Sequence, residues 1–337
     1  MAQIDLTIAI PVFNSSSYIE KTLRSALRQQ IQNLEILILN DYSTDNTIEV
    51  IQRIAKEYCV MLSIYNADRN SGVGVMRNKA IELAGGDYLF FLDSDDFLAE
   101  RSLEKMLAKA REFDADMVIG SHVDVCDNVE HIIKEENRIF VETDAFASYA
   151  FKNRYGYAGG VWNKLIKTEL LRQKAVTFPD YRVGEDVPFI FKLITVVKRV
   201  VLMDEITYRY VIRPGSLCQY NPRDFIPKAE VQTHVKSKIL LKKILLENAN
   251  KTYYMSMLSI VMDYCLDTIR VMIEKRNILE ERVPPYIIRQ IMQYPATISE
   301  VIQYGGIHNF FNYVLCHMPY TIVSSYFITR KFLKDIL

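Results

Sequence analysis

Cysteine is scarce and scattered in this chain. The five cysteines stand at 59, 126, 218, 265 and 316, and no two form a CxxC pair. Neither a zinc site nor a disulfide framework is therefore indicated, and this usage fits a reducing cytoplasm. The five histidines include no HExxH. Neither sign of charge is in excess, with 41 basic and 41 acidic residues, which argues against wholesale nucleic-acid binding. The opening MAQIDLTIAIPVFN has no basic n-region and no long apolar h-region, so it does not read as a signal peptide. GxxxxGK[ST] is absent, which excludes a P-loop. GVG at 72–74 does not extend to the GxGxxG that opens a dinucleotide-binding helix.

Half of the 337 residues are hydrophobic, enough for one large domain and a smaller one. The first half alternates short apolar runs with amphipathic stretches. Residues 6–10, 34–39, 60–65, 87–93 and 115–120 are predicted strands, and 16–30, 44–58, 73–84 and 100–113 predicted helices. Ser17 and Thr44 are candidate N-caps. Such alternation predicts a Rossmann-like α/β fold: a mixed, mainly parallel sheet flanked by helices. After residue 227 strand patterns vanish, and 228–247 and 253–276 read as amphipathic helices. The expected division is 1–226 and a helical 227–337, the second part holding 14 basic and 9 acidic residues. Three predicted strand ends carry polar punctuation, PVFNSSS, NDYSTDNT and DSDD, where open α/β sheets gather ligands.

DSDD poses a physical problem. An apolar strand ends in Asp93, Asp95 and Asp96, and burying unpaired carboxylates is costly. On an extended chain Asp93 and Asp95 point the same way, so the pair suits a divalent ion, Mn²⁺ or Mg²⁺, completed by substrate phosphates. The bland alternative is a solvated turn in which Asp96 caps the next helix.

PVFN at 11–14, NDYSTDNT at 40–47, the run from Arg69 to Asp96 and GEDVPF at 184–189 stand in the right order and spacing to resemble one family. They are similar to the GT-A type, family 2 inverting glycosyltransferases that build bacterial surface polysaccharides. The resemblance covers roughly residues 5–225. It implies a nucleotide-sugar donor, most naturally a UDP-sugar, and an acceptor on a growing surface glycan or lipid-linked oligosaccharide. It implies that Pro11, Phe13, Asn14 and Asp41 hold the nucleoside and that Arg77 lies near the nucleotide. It further implies that Asp93 contacts the ribose or nucleotide, that Asp95 ligates the metal, and that Asp186, the second residue of the ED pair, is the general base. Glu185 would orient Asp186 or the acceptor. Pro188 places Asp186 in the first turn of a helix. Related transferases close an Arg and a Ser over the diphosphate, here Arg213 and Ser216 in RPGS, whose Pro-Gly also reads as a plain type II turn. Trp162, the only tryptophan, is a candidate wall of the sugar or acceptor pocket or an ordinary core residue. Lys164 reads as a surface lysine.

Two rival functions remain in view. A sugar nucleotidyltransferase would need a Gly-rich, Lys-bearing loop after the first strand, and PVFNSSS is neither. A non-catalytic nucleotide-sugar scaffold would have lost a carboxylate, and Asp93, Asp95 and Asp186 are all present. Gly305–Thr329 contains no Asp, Glu, Lys or Arg over 25 positions and is followed by RKFLK. It reads as a basic, aromatic-rich tail in peripheral contact with the cytoplasmic face of the inner membrane, with a helical subdomain packed in the protein or an oligomer interface as alternatives, and with Pro319 and two glycines weighing against a spanning helix.

Overall fold

A computed structural model of the chain describes residues 3–127, 129–153, 160–181, 184–213 and 226–336. The chain divides into two compact units, Met1–Phe146 with Tyr157–Gln219, and Ala147–Gly156 with Tyr220–Leu337.

The first unit is built on a sheet. Its strands are β1 (Ile4–Val12), β2 (Leu34–Asn40), β3 (Ser63–Asn66), β4 (Gly86–Phe91), β5 (Phe97–Leu98), β6 (Met117–Cys126), β7 (Val129–Ile133), β8 (Arg138–Phe140), β9 (Lys164–Lys167) and β10 (Val200–Ile212). Its helices are α1 (Ile19–Leu27), α2 (Thr47–Glu57), α3 (Val73–Leu83), α4 (Ser102–Glu112), α6 (Thr168–Gln173) and α7 (Asp186–Val196), while α5 (Ala145–Asn153) runs from the first unit into the second. The strand order is β3-β2-β1-β4-β9-β6-β10-β5, with β7 on β6 and β8 on β10. β3, β2, β1 and β4 are parallel throughout. Beyond them β9 runs antiparallel between β4 and β6, and β10 returns parallel to β6.

The register shows why the apolar runs are continuous. Leu6, Ile8, Ile10 and Val12 of β1 pack with Ile19 and Leu23 of α1 and Ile51 and Ile54 of α2. The alternate residues also face protein: Ala9, Leu37, Leu89 and Phe91 are buried, and the Phe91 ring meets Phe178 and Phe189 edge-on. A parallel sheet covered on both faces needs such runs. The chain leaves β1 toward β2 and β3, then crosses back to place β4 on the other side of β1. The switch point, where an open α/β sheet forms its ligand crevice, thus lies between the ends of β1 and β4.

The expected helix caps are corrected. α1 starts after Tyr18 and α2 after Asn46, and neither Ser17 nor Thr44 caps them. Asp45 serves α2 instead, accepting from the Thr47 N–H at 3.1 Å, the local bond that favours Asp near helix starts.

The second unit is helical: α8 (Lys228–Leu246), α9 (Tyr254–Glu274), α10 (Pro285–Met292), α11 (Ile298–Glu300), a π-helical turn Val301–Gly305, α12 (Gly306–His317) and α13 (Tyr320–Ile336). Met257, Val261, Cys265 and Ile269 of α9 are fully buried, and α8, α10, α12 and α13 all pack on this helix. The Phe151 and Tyr253 rings meet at a tilt with centroids 5.4 Å apart, which ties the end of α5 to this unit. The uncharged stretch 305–329 is two helices, broken at Met318–Pro319 because proline cannot continue a helix. Among the described residues no helix is long and apolar enough to cross a membrane.

Candidate active site

The loops after β1, β2 and β3 are stitched into one rim. Asn14 Oδ1 accepts from the Thr44 N–H at 2.8 Å, and the Asn14 N–H donates to Ser43 Oγ at 3.1 Å. Asp41, only 3% exposed, accepts from the N–H groups of Ser71 at 2.7 Å and Gly72 at 2.8 Å. Gly72 has φ of 96°, a conformation glycine adopts at no steric cost, and it opens α3. The Asp41 carboxylate therefore shapes the entry to α3. Pro11 is buried in β1. Phe13 and Tyr42 stand half-exposed at the rim, and Tyr42 is an aromatic that the motif reading passed over.

DSDD is a turn, not a continuation of the strand. The Asp96 N–H closes on the Asp93 carbonyl at 3.2 Å, so the extended-chain reason for aligning Asp93 with Asp95 does not hold. Each carboxylate has its own partner. Asp93 pairs with Arg77 Nη2 at 2.7 Å. Asp95 takes two contacts of 2.8 Å from Arg213, Nε and Nη2, both on the same oxygen. Asp96, 1% exposed, accepts from the Tyr208 hydroxyl and the Val211 N–H, each at 2.7 Å. It is therefore no helix cap; α4 starts six residues later, behind Arg101. Tyr208 Oη also accepts from the Asp93 N–H at 3.2 Å. Burial, reinforced by Asp93, raises the pKa of Asp95 and pushes Asp96 up to about 8. The positive charge that DSDD demands is supplied by two arginines, Arg77 from the preceding helix and Arg213 from a distant part of the chain.

Arg77 is a bridge. Its side chain is 5% exposed, with Nη2 on Asp93 and Nη1 on Glu185 at 2.9 Å. Burial opposes its charge, but Asp93, Glu185 and Asp186 outweigh that and hold it protonated. Nε has no hydrogen-bond partner among the described residues. Glu185 is pushed up to about 7, first by burial and then by the adjacent Asp186. Asp186 is the first residue of α7, half-buried, where the helix dipole favours a carboxylate. Pro188 falls in the same turn, and Phe189 stacks on Phe178 beneath it.

Trp162 is half-buried. It stacks on Tyr208 and Tyr210, with centroids 5.0 and 5.3 Å away, and meets His122 edge-on at 4.7 Å. Tyr208 and Tyr210 sit two apart on β10, so one strand face presents both rings. Lys164 is not a surface lysine. It is buried, donates to Gly160 O at 3.0 Å and Asn163 Oδ1 at 2.9 Å, and burial lowers its pKa to about 8. Arg213 also lies over the Tyr18 ring at 4.1 Å. Ser216 lies outside the described residues. Tyr208 stands in no motif, and Lys164 reads as a surface residue, because their partners lie far away in sequence or on the backbone; the alternation of Tyr208 and Tyr210 along a strand is the one available signal.

Whether these groups suit a divalent ion can be judged from the donors. No group of three or more His, Cys, Asp or Glu side chains capable of holding a metal occurs among the described residues. Two neighbouring carboxylates, one of them with its proton affinity raised by burial and then by the other, do fit an ion whose remaining ligands come from phosphate oxygens and water.

The model of the family described as glycosyl transferase family 2 matches residues 7–179. The match stops short of Glu185, Asp186 and Arg213. Glycosyltransferase GlyA of Streptococcus pneumoniae is 29% identical over 222 residues, covering 63% of this chain and 31% of that protein. The uncharacterized glycosyltransferase EpsJ of Bacillus subtilis is 28% identical over 223 residues, covering 64% of each. The chain thus spans less than two thirds of these relatives' own lengths. Among solved structures, Staphylococcus aureus TarS 1–349 in complex with UDP-GlcNAc aligns with a TM-score of 0.68 at 18% identity, covering 93% of this chain and 90% of that one. GalNAc-T7 with UDP, GalNAc and Mn²⁺ aligns at 0.52 and 13% identity, over 76% and 56%. At such identities these two show a shared GT-A fold.

Proposed function

Since the chain belongs to glycosyl transferase family 2, we propose that it transfers one sugar from a UDP-sugar, with inversion, to a hydroxyl of a growing surface glycan. The observation that carries this reading is the meeting of DSDD, Arg77, Glu185 and Asp186 at one end of the sheet. The donor diphosphate would lie over the β1–β4 switch point. Pro11, Phe13, Asn14 and the Asp41-shaped turn would surround the nucleoside, and Asp93 would face the ribose. Asp95 and Asp93 would hold a divalent ion, which when bound offsets the charge of the departing diphosphate. Arg213, with Ser216 beyond it, would add cationic and hydroxyl contacts to the same phosphates. Asp186 would take the proton from the acceptor hydroxyl on the face opposite the leaving group. Trp162, through its stack with Tyr208 and Tyr210, would line the sugar side. A UDP donor is supported by a neighbour solved with UDP-GlcNAc. A polymer acceptor is supported by a relative named poly(ribitol-phosphate) beta-glucosyltransferase, 27% identical over 211 residues. The test is a screen of nucleotide sugars for acceptor-dependent UDP release. Release from a UDP-sugar is expected; release of pyrophosphate from a sugar phosphate and a nucleotide triphosphate, or no turnover at all, would overturn the reading.

We propose as well that the second unit lies on anionic lipid. Ile302, Tyr304, Ile307, Phe310 and Phe311 are exposed, Ile307 at 89%. No acidic residue occurs from Val301 to Lys334. Such an apolar, cation-flanked surface suits the headgroup region. The intact chain is expected to co-sediment with phosphatidylglycerol vesicles, less so at high salt. Ile307→Glu with Phe311→Glu, both at exposed positions, should leave it in the supernatant. Equal sedimentation of both proteins would remove the membrane role.

A further inference from the structure

The start of α3 does more than border the nucleotide crevice. Three of its residues reach the segment that leads into α7. A Cβ placed on Gly74 would stand 3.1 Å from Glu185 Cγ, 3.2 Å from the Pro179 carbonyl oxygen and 3.4 Å from Glu185 Cβ. Any larger residue there must displace the Glu185 side chain or the backbone at Pro179. One turn on, Arg77 gives Nη1 to Glu185 and Nη2 to Asp93. Its neighbour Asn78 clasps the backbone of Phe178 in both directions, donating to its carbonyl and accepting from its N–H, each at 2.8 Å. The helix itself is latched at its start by Asp41, through Ser71 and Gly72. A buried cation shared by two carboxylates fixes both, since moving either would leave an uncompensated buried charge.

We propose that this turn of α3 is a seat for the acceptor-side carboxylates: Gly74 leaves room for Glu185, Arg77 orients it against Asp93, and Asn78 holds the chain leading to it. Asp186, the next residue, is thereby set at a fixed place relative to the donor carboxylates. Gly74, Arg77 and Asn78 are positioning residues in this reading, acting through Glu185 and the 178–186 segment. The proposal rests on the glycosyltransferase reading, and its test separates the two.

Gly74→Ala is the sharpest variant. Alanine favours a helix by about 1 kcal/mol over glycine, which offsets part of the cost of crowding Glu185, so the fold should survive while the added methyl presses on Glu185. The expected result is a drop in kcat of about tenfold or more, the size of effect a small misplacement of a catalytic group produces, with UDP affinity by calorimetry unchanged. Wild-type kcat, or weakened UDP binding at unchanged kcat, would overturn the seat. A double-mutant cycle covers the case in which Arg77→Met is unstable. Arg77→Met and Glu185→Gln, alone and combined, are measured for kcat and for urea unfolding, with Arg77→Lys as the conservative rescue. Non-additive losses in both readouts, partly restored by lysine, support the seat. Additive losses, or an Arg77 effect confined to UDP affinity, overturn it. If the wild-type protein turns over no nucleotide sugar, the enzymatic reading fails on its own, while additivity or coupling in unfolding still decides whether Arg77 holds Glu185.

Discussion

Asp186→Asn should lower sugar transfer by roughly two to four orders of magnitude, the range for a lost general base, while UDP binding stays near its wild-type value. The substitution keeps the shape of the side chain but removes its negative charge and its ability to take a proton. Asp186 heads α7, where a carboxylate adds about 0.3–1 kcal/mol through the helix dipole, so the fold should survive with a small loss of stability. Asp41→Ala should behave in the opposite way. Its carboxylate latches two N–H groups at the start of α3, and leaving buried donors unpaired costs about 1–3 kcal/mol each. UDP binding and stability should fall first there. Steady-state kinetics beside UDP calorimetry on both variants separates the roles. Near wild-type transfer by Asp186→Asn would reduce Asp186 to a first-turn residue, and Glu185, already high in proton affinity, would become the base to test.

The parallel half of the fold was legible because its signals are local. Apolar runs of strand length, helical periodicity between them and polar residues at the strand ends all act within a dozen positions. β1, β2, β4 and α1 to α4 fall within the predicted segments or within a few residues of them. The antiparallel insertion of β9 between β4 and β6 was not legible, since nothing in Lys164–Lys167 records which strands it will join. The same limit applies to the site. The motifs named the carboxylates, but which cation meets which carboxylate depends on contacts across about a hundred residues. Arg77 to Glu185 and Arg213 to Asp95 are such contacts. The strand before DSDD predicts an extended chain, and the hydrogen bond from the Asp96 N–H to the Asp93 carbonyl turns it instead. Residue type alone does not place Trp162 or Lys164. Burial against two tyrosines and against backbone carbonyls decides their place, and composition carries no trace of it.

Removing divalent metal should weaken UDP binding on the order of 10- to 100-fold, the equivalent of one charge-assisted contact of about 1.5–3 kcal/mol, and Asp95→Ala should reproduce the loss in the presence of Mn²⁺. The Arg213 pair makes this a discriminating experiment. Arg213 already neutralises one oxygen of Asp95, so two arrangements of charge compete. If Asp95 serves a cation that the diphosphate shares, its removal costs the protein both a ligand and the metal's hold on the phosphates. UDP affinity then falls, and EDTA has no further effect on the variant. If Asp95 serves only to restrain Arg213, its removal frees a guanidinium that can make paired hydrogen bonds to phosphate. UDP affinity then holds or rises, and EDTA changes neither protein. Calorimetry of UDP against wild type and Asp95→Ala, each with Mn²⁺ and with EDTA, reads all four corners. The metal assignment stands on a loss at two corners, wild type with EDTA and Asp95→Ala with Mn²⁺, that is not compounded at the third, Asp95→Ala with EDTA: equal wild-type affinity with and without Mn²⁺ ends it.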